Sequence, residues 1–111
     1  MIEKTSEDFH TILDFQGKKI RLYRHTIDHI KLSHPDIIDP LTFVTEILKK
    51  PIVVTEDELP NTHIYHKRAN KPLVHVAYVE VEKSLVKSAH ISDKIKGGSV
   101  VWFAETKDLL R

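Results

Sequence analysis

The chain has 111 residues, 41% of them hydrophobic and 30% charged, the mixture of a globular protein with material for one modest core. Its 17 basic and 16 acidic residues leave a net charge of +1, which excludes the general attraction to nucleic acid of a strongly basic binder, so any such contact needs a local patch. The absence of cysteine excludes disulfides and thiolate chemistry, no apolar run approaches the ~20 residues that span a bilayer, and the opening MIEKTSEDF is too acidic for a secretory leader, so a single cytoplasmic domain over residues 1–111 is expected.

Residues 10–15, HTILDF, and 18–24, KKIRLYR, alternate in polarity on either side of Gln16-Gly17, which predicts a β-hairpin because glycine tolerates the positive φ of a tight turn. Thr26 is then placed to cap a short helix over residues 27–33, with Ile27 and Ile30 facing inward. Pro35 stops that helix and drives His34 out of the α region. Asp39-Pro40 opens a second helix over 40–50: Asp accepts from bare first-turn amides, and proline needs no donor at the first position. Leu41, Val44, Ile47 and Leu48 recur at helical spacing, and Pro51 terminates the run.

Beyond Pro51 the pattern changes to β-branched runs or period two: IVVTE, THIYHKR, PLVHVAYVEVE, SLVKSAHIS and SVVWF, separated by turn-forming clusters. The expectation is an α+β fold, an amino-terminal β-hairpin and two short helices packed on an antiparallel β-meander.

Eight histidines are several times the usual share for such a chain, and three groups of them invite chemistry. If Glu82-Lys83 is the two-residue turn of a hairpin over 73–91, His75 faces His90, Ala77 faces Ser88 and Val79 faces Val86. Two histidines and a serine then share one face, whereas a three-residue loop sets His90 opposite Val76 instead. In 62–68, alternation puts His63, Tyr65 and Lys67 on one side and Ile64, His66 and Arg68 on the other. That pattern reads as an edge or a groove wall, where the same charges also keep the edge from pairing with another copy.

His25 and His29 are four apart, a spacing that suits two metal ligands if the helix starts early, but without a third ligand no metal is expected. His34 at a helix carboxyl end is stabilised by the dipole whether or not it has a function. Gly97-Gly98 reads as a turn, with Lys94 and Lys96 near the end of the Ser88 and His90 strand.

The order HIKLSHPDI, IYHK and SLVKSAHISDKIKGGSVVW, over roughly residues 24–103, resembles the phage-associated nuclease-like proteins of the barnase, EndoU, colicin and RelE fold, the BECR superfamily. That family runs His-Ile, three residues, His-Pro-acidic, then a helix, a Tyr-rich strand with a lysine, a strand ending Thr-Ala-aromatic, and a lysine-rich turn before a tryptophan strand. The resemblance implies that His29 and His34 match the paired histidines, Lys67 the strand lysine, and Ser88 the threonine. His90 stands where an aromatic is commoner.

A metal-independent endoribonuclease, toxin-like, is the activity so implied, with RNA as substrate, no cofactor, and a neutralising antitoxin or the ribosome as partner. Such cleavage needs a base for the ribose 2′-hydroxyl, an acid for the departing 5′-oxygen, and cations for the phosphorane. Under the resemblance His29 or His34 serves as base and His90 or His75 as acid, or the reverse. Ser88 donates to phosphate, Lys67 with Arg68 or Lys94 stabilises charge, and Tyr65 and His75 join them as substrate-binding residues. The alternative is a non-catalytic module of the same fold that binds RNA or protein.

Overall fold

The computed structural model describes residues 8–69 and 76–104. The chain opens with β1 (Phe9–Leu13) and β2 (Lys19–Tyr23), paired antiparallel from Phe9 opposite Tyr23 to Leu13 opposite Lys19. The connecting turn is closed by Asp14, whose Oδ1 accepts from the amides of Gln16 at 2.9 Å and Lys18 at 2.8 Å, and Gly17 takes the positive φ of +83°. The hairpin read from the alternation is present.

The first helix, α1 (Arg24–Ser33), starts three residues earlier than expected. Tyr23 precedes it with no side-chain cap, while the Arg24 amide donates to the Asp8 carbonyl at 2.9 Å, so pairing with the chain ahead of β1 replaces the cap. Thr26 is therefore inside the helix and buried at 8% exposure. His34 ends it with φ −136°, the extended conformation a following proline imposes, and its amide still donates to the Ile30 carbonyl at 2.8 Å.

The second helix, α2 (Pro40–Lys49), begins as its sequence dictates. Asp39 accepts from the Thr42 amide at 3.3 Å and the Thr42 hydroxyl at 2.8 Å, and these bonds hold its carboxyl below the usual carboxylate range. Val44, Ile47 and Leu48 are buried along one stripe.

Five strands follow: β3 (Val53–Glu56), β4 (Thr62–Arg68), β5 (Val76–Glu82), β6 (Leu85–Ser92) and β7 (Val100–Phe103). They join the hairpin in one seven-stranded mixed sheet of order β1-β2-β6-β5-β4-β3-β7. The meander expected after Pro51 holds from β3 to β6 and fails at β7. The far side of β6 already meets β2 in parallel through Arg21 and Leu85, so the last strand returns across the sheet to pair with β3. Nor is β4 an edge, because its meander neighbours β3 and β5 pair with it on both sides.

Although β1 and β7 stand at opposite ends of the strand order, Phe15 after β1 touches Trp102 of β7, ring centroids 4.3 Å apart, so the sheet curls around α2. The core inside the curl comprises Ile20, Leu22, Ile30, Val44, Leu48, Val79 and Ala89 among others.

The β5–β6 hairpin also differs from expectation. The turn is Lys83-Ser84, with Lys83 at φ +59°, and the register slips between Glu80 and Val81 because Lys87 is an extra residue in β6. His90 therefore faces Tyr78 and Ser88 faces Glu80, not His75 and Ala77, nor Val76 in the longer-loop version. Ala77 and Val79 point to the core, away from Ser88 and His90. His75 lies outside the described residues.

Candidate functional site

The sheet face turned away from α2 carries Ser88 and His90 of β6 beside Glu80 and Tyr78 of β5 and His66 of β4. Segment 93–99, which takes the chain to β7, crosses this face. Its Lys96 amide donates to Nε2 of His66 at 2.9 Å, and the Thr55 hydroxyl donates to the Lys96 carbonyl at 2.6 Å. Because Nε2 of His66 accepts, Nδ1 carries the hydrogen and donates to the Val53 carbonyl at 3.3 Å. His66 is fully buried, and burial holds its imidazole below the ordinary value although its backbone hydrogen bonds oppose the shift. It is a neutral fastener between the crossing segment and the sheet.

Helix α1 packs against both β2 and β6, and its carboxyl end reaches the same face. There the ring of His34 meets that of His90 edge to face, centroids 4.1 Å apart at 67°. His90 in turn stacks on Tyr78 at 5.0 Å and 17°, and Tyr78 lies 5.9 Å from His66. The result is a row of four rings drawn from α1, β6, β5 and β4, with His34 and His90 half-buried and His66 beneath the crossing segment.

Nε2 of His90 lies 3.2 Å from the Ser88 hydroxyl, which donates to Oε1 of Glu80 at 3.3 Å. A hydroxyl has one hydrogen; with that hydrogen on Glu80, Ser88 must accept from His90, which leaves Nδ1 of His90 as the basic nitrogen. The imidazole is held below its ordinary value first by burial, then by the positive charge of His34, Lys96 and His29 nearby. Burial and nearby positive charge both disfavour its protonated form.

Of the residues singled out from sequence, His34, Ser88 and His90 come together here. His29, exposed one turn before Ser33 and 3.4 Å from its hydroxyl, lies within electrostatic reach of His90. Lys94 is exposed on the crossing segment, but the lysine whose charge reaches His90 is Lys96.

Tyr65 and Lys67 are placed elsewhere: both lie on the opposite face of β4. Tyr65 is 5% exposed and donates its hydroxyl to Oδ2 of Asp14 at 2.7 Å, so it is structural and does not touch the ring row. Its hydroxyl is pushed well above its ordinary value by burial, then by Asp14. Arg68 shares the cluster's face but stands two residues beyond His66 at the end of β4.

Tyr78 and Glu80 are the participants that sequence reasoning passed over, whereas the sequence already places Lys96, with Lys94, beside the end of the Ser88 and His90 strand. Alternation from Ser88 to His90 indicated the face, but naming their cross-strand partners needed the Lys87 bulge. His25 and His29 do share one side of α1, which starts early enough for both. Among the described residues, however, no three His, Asp or Glu side chains converge to hold a metal.

No helix among the described residues is long and apolar enough to cross a membrane. Comparison with family models, curated proteins and solved structures finds no match to this chain.

Proposed function

We propose that the chain is a BECR-like, metal-independent endoribonuclease that uses His90 and His34 as its proton-transfer pair. The observation that carries this reading is the meeting of two half-buried imidazoles, His34 and His90, on the sheet face away from α2, beside Ser88 and within the field of Lys96. Nδ1 of His90 takes the proton of the ribose 2′-hydroxyl as that oxygen attacks phosphorus. The bond from phosphorus to the 5′-oxygen breaks, and His34 gives that oxygen its proton. The products are a 2′,3′-cyclic phosphate and a free 5′-hydroxyl. Lys96 stabilises the crowded phosphorane, and Ser88 with Glu80 fixes the tautomer and tilt of His90.

At 4.1 Å between centroids the two rings leave no room for a phosphate between them. Substrate must therefore swing His34 away, which its place at the non-helical end of α1 permits.

The test is incubation of the purified protein with mixed RNA in EDTA, with end-group analysis. Cleavage that leaves 2′,3′-cyclic ends and falls about 10²–10⁴-fold in His90→Ala and His34→Ala, in variants that keep their melting behaviour, supports the reading. Full activity in both variants rejects it.

A second reading, a non-catalytic module that binds RNA or a protein such as a neutralising partner, is favoured by Leu32 and Ile38. These apolar side chains flank His34 and are 83% and 89% exposed. RNA left intact by a folded protein that still binds it selects this reading.

A further inference from the structure

Strand β1 is one end of the sheet order, and among the described residues nothing pairs with its outer side. Its hydrogen-bond phase determines which groups stay open. The Arg24 amide donates to the Asp8 carbonyl and the Asp14 amide to the Lys18 carbonyl, so residues 8, 10, 12 and 14 turn their amides and carbonyls toward β2. Phe9, Thr11 and Leu13 turn theirs outward. The pairing with β2 is regular throughout, and β1 contains no lysine, proline or bulge, the devices that usually close such an edge.

Helix α2 runs beside this edge. Leu41, Thr45 and Lys49 recur every four residues on one stripe of the helix, and with residues 10–13 they line a groove of about 320 Å³. The stripe is ~12 Å long and β1 ~13 Å, so helix and strand form two rails of similar length. The Phe15 amide donates to the Leu48 carbonyl at 2.9 Å and ties the rails together at the Leu13–Lys49 end. We propose that the groove is a peptide-docking site, in which an extended segment of a partner protein, apolar and acidic at alternate positions, adds to β1 as a further strand. The groove opens on the α2 side of the sheet and the ring row on the other, so the inference goes beyond the ribonuclease reading and does not depend on it.

Each property of the occupant follows from one of the rails. Open amides and carbonyls at three successive outward positions of β1 call for a backbone, and an extended chain meets them all at once. Side chains of the added strand alternate. Those level with Phe9, Thr11 and Leu13 lie on the outer face, where Phe9 is 46% and Leu13 49% exposed, and are apolar. Those level with His10 and Ile12 point toward α2. No carboxylate lines the groove there, and the Lys49 ammonium selects an acidic side chain at the tied end. A second copy pairing through its own β1 would carry β2 along with it toward α2, whereas a single strand needs only the space between the rails.

The experiment is titration of the isotope-labelled full chain with a heptapeptide of alternating valine and glutamate, its valine–lysine counterpart, and the valine–glutamate peptide N-methylated at every valine. Amide shifts are followed, with sedimentation alongside. The expected result is shifts at residues 9–15 and 41–49, valine–glutamate bound at least about tenfold tighter than valine–lysine, and no binding of the methylated form. Lys49→Glu should reverse the charge preference. Thr11→Pro, which removes an outward amide and no bond to β2, should abolish binding. Should Thr11→Pro unfold the chain, the methylated peptide makes the same test from the other side. Binding that survives methylation, a charge preference unchanged in Lys49→Glu, shifts confined to other surfaces, or no binding of any peptide overturns the site. So does a dimer that Thr11→Pro disperses, which assigns the edge to a second copy.

Discussion

The rings of His34 and His90, contributed by a helix end and a mid-sheet position, touch edge to face with centroids 4.1 Å apart. Two imidazoles this close cannot both carry charge without cost, and Lys96 and His29 add to the positive surroundings of His90. Tyr78 and the Ser88–Glu80 pair complete the shell, so the cluster joins cations to one carboxylate.

His90 should therefore titrate below the ordinary imidazole value of 6.5 when its ring protons are followed by NMR across pH. In His34→Phe one source of positive charge is gone, and the His90 value should rise toward ordinary while burial still holds it down. A His90 that titrates at or above 6.5 in the unmodified protein removes the case for a neutral base.

His66 and His90 also make stability depend on pH. Both are depressed in the fold relative to 6.5 in the unfolded chain, so below that pH the unfolded state binds more protons. Their contribution is thus complete above 6.5 and lost progressively as pH falls below it. Denaturant midpoints measured between pH 8 and 5 should decline on the acid side. In His66→Phe the decline should be shallower, on top of a loss of about 1–3 kcal/mol for the Lys96 amide left without its acceptor. A pH slope unchanged by that substitution speaks against this source of acid sensitivity.

Gly97 should resist replacement. It sits at φ +92° in the crossing segment, and a Cβ there would collide with the Thr55 side chain, whose hydroxyl holds the Lys96 carbonyl. Gly97→Ala is expected to cost about 1–3 kcal/mol from backbone strain alone, and to loosen Lys96 from its place beside His90. Equal stability of Gly97→Ala and the parent in urea unfolding contradicts the account.

Tyr65 offers the complementary prediction, a loss of stability with the site left intact. Its hydroxyl donates to Asp14, whose other oxygen closes the first hairpin turn. Tyr65→Phe should cost about 1.5–3 kcal/mol, the range for a hydrogen bond to a charged group, and leave the His34–His90 contact and the RNA cleavage proposed for it unchanged. A fall in the proposed RNA cleavage without loss of stability would return Tyr65 to the substrate surface.

What the chain dictates locally it dictates legibly. The Asp39 cap, the stripe of α2, the Pro35 stop, the Gly17 turn and the shared face of Ser88 and His90 all follow from preferences that act within a few residues. What only the tertiary structure decided depends on partners far along the sequence. The start of α1 comes from Asp8, the interior place of β3 from the return of β7, and the His90–Tyr78 pairing from the Lys87 bulge. Alternation tells which side chains share a face, but it is silent on which strand lies alongside and in what register, since those are settled by the packing of the whole sheet around α2.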